Sequence, residues 1–176
     1  MYIRQKTRKN SSGNCYAYAY LVSSKYRKKH PKQKVIAYLG RVYTYNKQKN
    51  TPPITIKEDK TDKLDFNSLS LLILKKFLVL SGLKEKDIQT KDGITIDLLK
   101  RTIRKNNIKV TISLNKGHLN DFTLSQFLDF KTPNKSDFRI GKELATKMLN
   151  IGIEPEKELF LMLFNKLRKK YGTNQQ

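Results

Sequence analysis

Not one of the first 57 residues is acidic, although fourteen of them are Lys or Arg. The first carboxylate is Glu58, and the remaining chain mixes 23 basic with 15 acidic side chains. Like charges at this density repel and work against compaction, so the segment needs a fold that spreads them over a surface and an anionic partner that offsets them. Aromatic usage changes at the same place. Eight of nine tyrosines fall between Tyr2 and Tyr45, and all eight phenylalanines lie at Phe66 or beyond. A tyrosine ring is apolar while its hydroxyl can face water, which suits a wet binding surface; Phe belongs in a core. The first third therefore reads as a contact surface for a polyanion and the rest as an ordinary folded unit.

Local patterning gives that surface a shape. Tyr2–Lys9, Cys15–Val22 and Lys34–Val42 each alternate at period two and are rich in tyrosine and β-branched residues, with SSGN (11–14) as a hairpin loop. The expectation is a three-stranded antiparallel meander with the second strand in the centre. Alternation puts Ile3, Ala17, Ala19, Leu21, Val35, Ala37 and Leu39 on a buried side. Arg4, Lys6, Arg8, Tyr16, Tyr18, Tyr20, Lys34 and Tyr38 then share an open side, and Arg41 is counted with them as a candidate nucleic-acid contact. Between the second and third strands, residues 23–33 read as a long basic hairpin tip carrying Lys25, Arg27, Lys28, Lys29 and Lys32. Such a surface would set cations on phosphates, with the tip along a groove of a duplex or the tyrosines stacked on exposed bases.

The run from residue 2 to 43 also resembles a family pattern. Tyr2, Ile3 and Arg4, then Tyr18, Tyr20, Leu21 and Val22, then Val35, Tyr38, Leu39, Gly40 and Arg41 are similar to the short N-terminal β-region of insertion-sequence transposases and related prokaryotic proteins. The resemblance covers about a quarter of the chain. It implies DNA binding by the N-terminal region, without the catalytic domain of a full transposase.

Residues 46–63 are polar, contain Pro52-Pro53 and read as a linker. Residues 64–172 read as a mainly helical domain, with 173–176 a disordered tail. A helix over Ser68–Leu80 is capped by Asp65 or Asn67 and closed by Gly82. A second is expected from Ile96 or Asp97 to Asn106, with Leu98, Leu99 and Ile103 inward. Ile108–Leu114 reads as a strand followed by an Asn115-Lys116-Gly117 turn, and helices follow over Thr123–Asp129, Ser136–Asn150 and Pro155–Tyr171. The fold class is α+β: a three-stranded antiparallel sheet, then a mainly helical domain with one or two further short strands. That domain would support the sheet, mediate self-association or add phosphate contacts.

Candidate chemistry is sparse. His30 and His118 have no Cys or carboxylate at ligand spacing, and the eight glycines form no phosphate loop. Cys15 reads as a packed thiol, and Asp121 and Asp137 as helix-start carboxylates. A metal-dependent nuclease would need Asp121, Asp129 and Asp137 to converge on divalent ions. The expectation is a non-catalytic, cofactor-free and metal-free binder of nucleic acid, double-stranded DNA before RNA or the ribosome, with a small nuclease as a third reading. The lone cysteine and the short apolar stretch Leu69–Leu80, interrupted by Lys75-Lys76, point to a cytoplasmic protein with no membrane partner, associated with nucleoid or ribosome.

Overall fold

The computed structural model describes residues 1–27, 30–45, 54, 56, 61, 63–83, 92–132 and 136–171, and at 25–27, 30 and 31 the backbone alone. The expected linker and tail, at 46–63 and 173–176, lie largely or wholly outside the described residues.

Strands β1 (Tyr2–Lys9), β2 (Cys15–Arg27) and β3 (His30–Tyr45) form the expected antiparallel meander with β2 in the middle. The meander is part of a larger, mixed sheet. Four more strands, β4 (Ile94–Asp97), β5 (Thr102–Lys105), β6 (Ile108–Leu114) and β7 (Gly117–Leu119), give the order β1-β2-β3-β6-β5-β4, with β7 beside β6. All neighbours are antiparallel except β3 and β6, which run parallel from Arg41↔Val110 to Tyr45↔Leu114. Helices α1 (Phe66–Leu80), α2 (Asp121–Leu128), α3 (Asp137–Asn150) and α4 (Lys157–Tyr171) complete an α+β fold. Among the described residues no helix is long and apolar enough to cross a membrane.

The helices lie within two residues of their expected starts. Asp65 caps α1 by accepting from the Ser68 amide at 2.9 Å, which holds its carboxyl below the usual carboxylate range. Gly82, at φ +88°, ends the helix, and the Leu83 amide donates back to the Leu78 carbonyl at 3.1 Å. A reciprocal Asn120–Thr123 capping box opens α2, two residues earlier than expected. The main core lies between these helices and β4–β7, with Leu69, Ile73, Leu74, Ile112, Leu124, Phe127 and Leu163 fully buried.

One expected helix does not exist. The segment 96–106 is split into β4, a turn and β5, and β5 and β6 meet in a hairpin at Asn106-Asn107. Both asparagines have positive φ, 49° and 63°, the backbone that a two-residue hairpin joining right-twisted strands requires. Buried Ile94, Ile96 and Leu98 follow period two, and Leu99, expected inward, is 83% exposed. The hairpin and the core outweigh the modest helix propensity of LLKRTIRK.

The expected loop at 23–33 is strand as well. The β2–β3 ladder continues from Ser23↔Lys34 to Arg27↔His30, beyond the last β1 pair at Tyr2↔Val22. Those five pairs form a two-stranded arm about 17 Å long at roughly 3.4 Å per residue.

Two irregularities in β3 also revise which face some residues occupy. Ala19 is opposite Gly40 and Tyr20 opposite Tyr38, leaving Leu39 as an extra residue; Leu21 is opposite Ala37 and Val22 opposite Val35, leaving Ile36 as another. An extra residue reverses the alternation on one side of it. Beyond Ile36, Val35 therefore shares the face of Val22 and the tyrosines, while Lys34, opposite Ser23, lies on the other. Both were expected the opposite way round.

Candidate nucleic-acid interface

Direct cross-strand partners in a sheet share a face. The register pairs Arg4 with Tyr20, Lys6 with Tyr18 and Arg8 with Tyr16 across β1–β2, then Tyr20 with Tyr38 and Tyr18 with Arg41 across β2–β3. One face of the meander thus carries Arg4, Lys6, Arg8, Tyr16, Tyr18, Tyr20, Tyr38 and Arg41. The opposite face buries Ala19, Leu21, Leu39 and Val42 in a small separate cluster with Ile3, Ala17 and Ala37 beside them, covered by Phe122 from the start of α2.

On the tyrosine face the rings and cations form a connected layer. Tyr38 lies 5.5 Å from Tyr20 and 6.3 Å from Tyr18, centroid to centroid, in tilted pairs. The Arg41 guanidinium sits 3.9 Å from the Tyr16 centroid and 5.2 Å from that of Tyr43, and the Lys6 ammonium 5.7 Å from that of Tyr20. Each ring attracts a cation through its negative face and holds it in place. At the base of the arm, Gln33 accepts from Arg4 and donates to the Tyr2 hydroxyl, a clamp between β1 and β3 across β2.

The cations of the tyrosine face differ from those beside Asp121. Among the described residues, Arg4, Lys6, Arg8 and Arg41 form no ion pair, while Arg104 and Lys109, on the other side of the sheet, share Asp121 at 2.8 and 3.6 Å. The Asp121 carboxylate also accepts from the Ile103 amide at 2.9 Å, so it is tied into the fold. Burial, with Tyr18 and Tyr20 nearby, raises the Tyr38 pKa against the opposing pull of Arg8. Its hydroxyl therefore stays a hydrogen-bond donor at neutral pH.

Of the other residues expected at the site, Lys32 is exposed and pairs with Lys25 in the ladder, two positions from Lys34 and so on the face away from the tyrosines. The side chains of Lys25 and Arg27, and Lys28 and Lys29 entirely, lie outside the described residues. The structure adds Tyr2, Gln33, Tyr43 and Lys105, whose ammonium is 4.7 Å from the Tyr43 centroid. Tyr2 follows the alternation of Arg4, Lys6 and Arg8 and could have been included; Tyr43 is out of phase with Tyr38 and reaches this face only because of the extra residue Leu39. Lys105 could not have been included, because only the β5–β6 hairpin and the β3–β6 pairing bring it there. Tyr45 ends the strip by donating to Asp92 at 2.6 Å.

The remaining candidates are dispersed. Asp121 pairs with Arg104 and Lys109, Asp129 with Arg101 at 2.6 Å, and Asp137 with Arg168 at 3.2 Å, so each carboxylate has its own cation partner. Among the described residues no three His, Cys, Asp or Glu side chains come together. His118 is half-buried on β7, with Nε2 3.5 Å from the Gln5 side-chain oxygen, and burial lowers its pKa. Cys15 is exposed at the start of β2 instead of packed. Comparison with protein-family models, curated proteins and solved structures finds no match to this chain.

Proposed function

We propose that this chain is a non-catalytic binder of double-stranded DNA that applies the tyrosine face of β1–β3 to the phosphate backbone and lays the β2–β3 arm in a groove. The observation that carries this reading is a cluster of unpaired cations among the tyrosines of one face. Arg4, Lys6, Arg8 and Arg41 lie together among the tyrosines with no ion pair among the described residues, while Arg104 and Lys109 behind the sheet share the one carboxylate of Asp121. A polyanion supplies the missing counter-charge.

Duplex is favoured over single strands by how the rings are used. Arg41 covers Tyr16 at 3.9 Å, and Tyr18, Tyr20 and Tyr38 lean on one another, so the rings serve as supports for cations more than as platforms for bases. A two-stranded ribbon also fits the major groove, about 12 Å wide. The resemblance to transposase N-terminal regions belongs to the same proposal, since the matching residues are those of the meander.

Fluorescence anisotropy with a labelled duplex tests it. With six to ten phosphate contacts, affinity falls roughly 10³–10⁵-fold between 50 and 200 mM salt. A nearly flat salt response, or preference for single-stranded DNA or structured RNA in competition at fixed salt, overturns it.

A further inference from the structure

The cationic face has an apolar island. Tyr2, Val35 and Tyr38 are 43%, 49% and 47% exposed and lie on the tyrosine face where the arm leaves the body. The extra residue Ile36, 48% exposed, is what turns Val35 to this side and Lys34 away. Val22, its direct cross-strand partner on the same face, is 1% exposed, so the pair is covered on the β2 side and open at Val35. A strand that reverses its own alternation to present valine, and withdraw lysine, on a phosphate-binding surface serves something other than phosphate.

We infer that Val35 is a specificity-determining contact that reads the 5-methyl group of thymine in the major groove. This rests on the duplex-DNA reading above. Cations on either side grip backbones and carry no sequence information; sequence is read at base edges. In the major groove the thymine methyl is the only apolar group a base pair presents, and a small exposed aliphatic side chain is its complement. The Tyr2–Gln33–Arg4 clamp beside it holds the base of the arm, so the valine is presented from a braced element. The ligand class is therefore A·T-containing duplex, distinguished from RNA and from uracil-containing DNA by one methyl per base.

The test compares two alternating A·T duplexes of equal length, one with thymine and one with deoxyuridine at every pyrimidine, titrated at fixed salt with the full chain. Each methyl buried is worth roughly a fourfold change in affinity. The thymine duplex should bind at least about fourfold tighter to the native protein, and Val35→Ser, which leaves no side-chain methyl, should bring the two duplexes together by weakening only the thymine complex. Equal affinities for the native protein, with salt-dependent duplex binding intact, overturn the inference and leave the duplex reading standing. A preference that survives in Val35→Ser belongs to DNA shape and also overturns it. An equal loss on both duplexes makes Val35 a structural support and overturns it too. Absence of binding to either duplex removes both the inference and the reading beneath it.

Discussion

At the scale of single residues, Arg41 concentrates the argument. Its guanidinium contacts two tyrosine rings while lacking an ion pair among the described residues, so its charge is held in place and available. Arg41→Ala should weaken duplex binding about equally for all sequences and lower the log–log salt slope by about one. Arg41→Lys should keep the slope, because the charge remains, while losing the flat stacking that a guanidinium gives. Anisotropy titrations at four salt concentrations check both, and an unchanged slope in Arg41→Ala would exclude Arg41 from the contact. His118 gives a second residue-level prediction. Burial lowers its pKa from the ordinary 6.5, so on acidification the unfolded chain takes up the proton first. Its stabilising contribution is full above that value and is lost as pH falls from 6.5 towards the folded pKa. Urea unfolding between pH 7.5 and 5.5 should show a slope that His118→Gln flattens. Much of the site was legible at this scale: simple alternation correctly grouped Arg4, Lys6, Arg8 with Tyr16, Tyr18, Tyr20 and Tyr38. It failed at Val35 and Lys34 because an inserted residue leaves no mark on composition, yet inverts everything beyond it.

At the scale of elements, the β3–β6 seam is the most demanding feature. Gly40 lies in it at φ +106°, and a Cβ there would meet the Lys109 carbonyl and the Val110 backbone. Thr111 Oγ1 donates to the Leu39 carbonyl at 2.8 Å beside it. Gly40→Ala should lower stability by about 1–3 kcal/mol from backbone strain, with the clash adding to it; a urea midpoint unchanged from native would refute the close approach. The β5–β6 hairpin offers a complementary check, since Asn107 is left-handed at φ 63°. Asn107→Val should cost about 1–2 kcal/mol, whereas Asn107→Gly should be neutral or stabilising. A helix over this segment would give the reverse order, because glycine is the poorer helix former. Helix α1 was readable because its cap, apolar run and closing glycine agree. The segment 94–107 was not, because LLKRTIRK suits a helix locally and only the Asn-Asn turn argued otherwise.

At the scale of the molecule, one sheet surface is core at one end and open at the other. In the parallel seam Arg41, Tyr43 and Tyr45 stand in register with Val110, Ile112 and Leu114, all three buried in the main core. The surface that the helices cover at β6 therefore continues as the tyrosine face of β1–β3, which none of the described helices covers, so the helical layer stands beside that face. Edge strand β1 carries alternating cations, which also discourages edge-to-edge pairing with another sheet. Overall charge led to the expectation of a polyanion partner, but sequence alone could not say whether +22 is focused or spread, because that depends on the β3–β6 crossing. Two charge-matched variants decide it. Arg4, Lys6 and Arg8 changed to Glu should reduce duplex affinity by roughly 100-fold or more at 100 mM salt, by removing phosphate contacts and adding repulsion. Lys116, Lys131 and Lys142, exposed on the rest of the molecule, changed to Glu should cost less than about fivefold, because at that ionic strength charges beyond roughly 10 Å are largely screened. Equal losses in the two variants would mean that the DNA feels net charge alone, and the tyrosine face would then be no more a binding surface than any other.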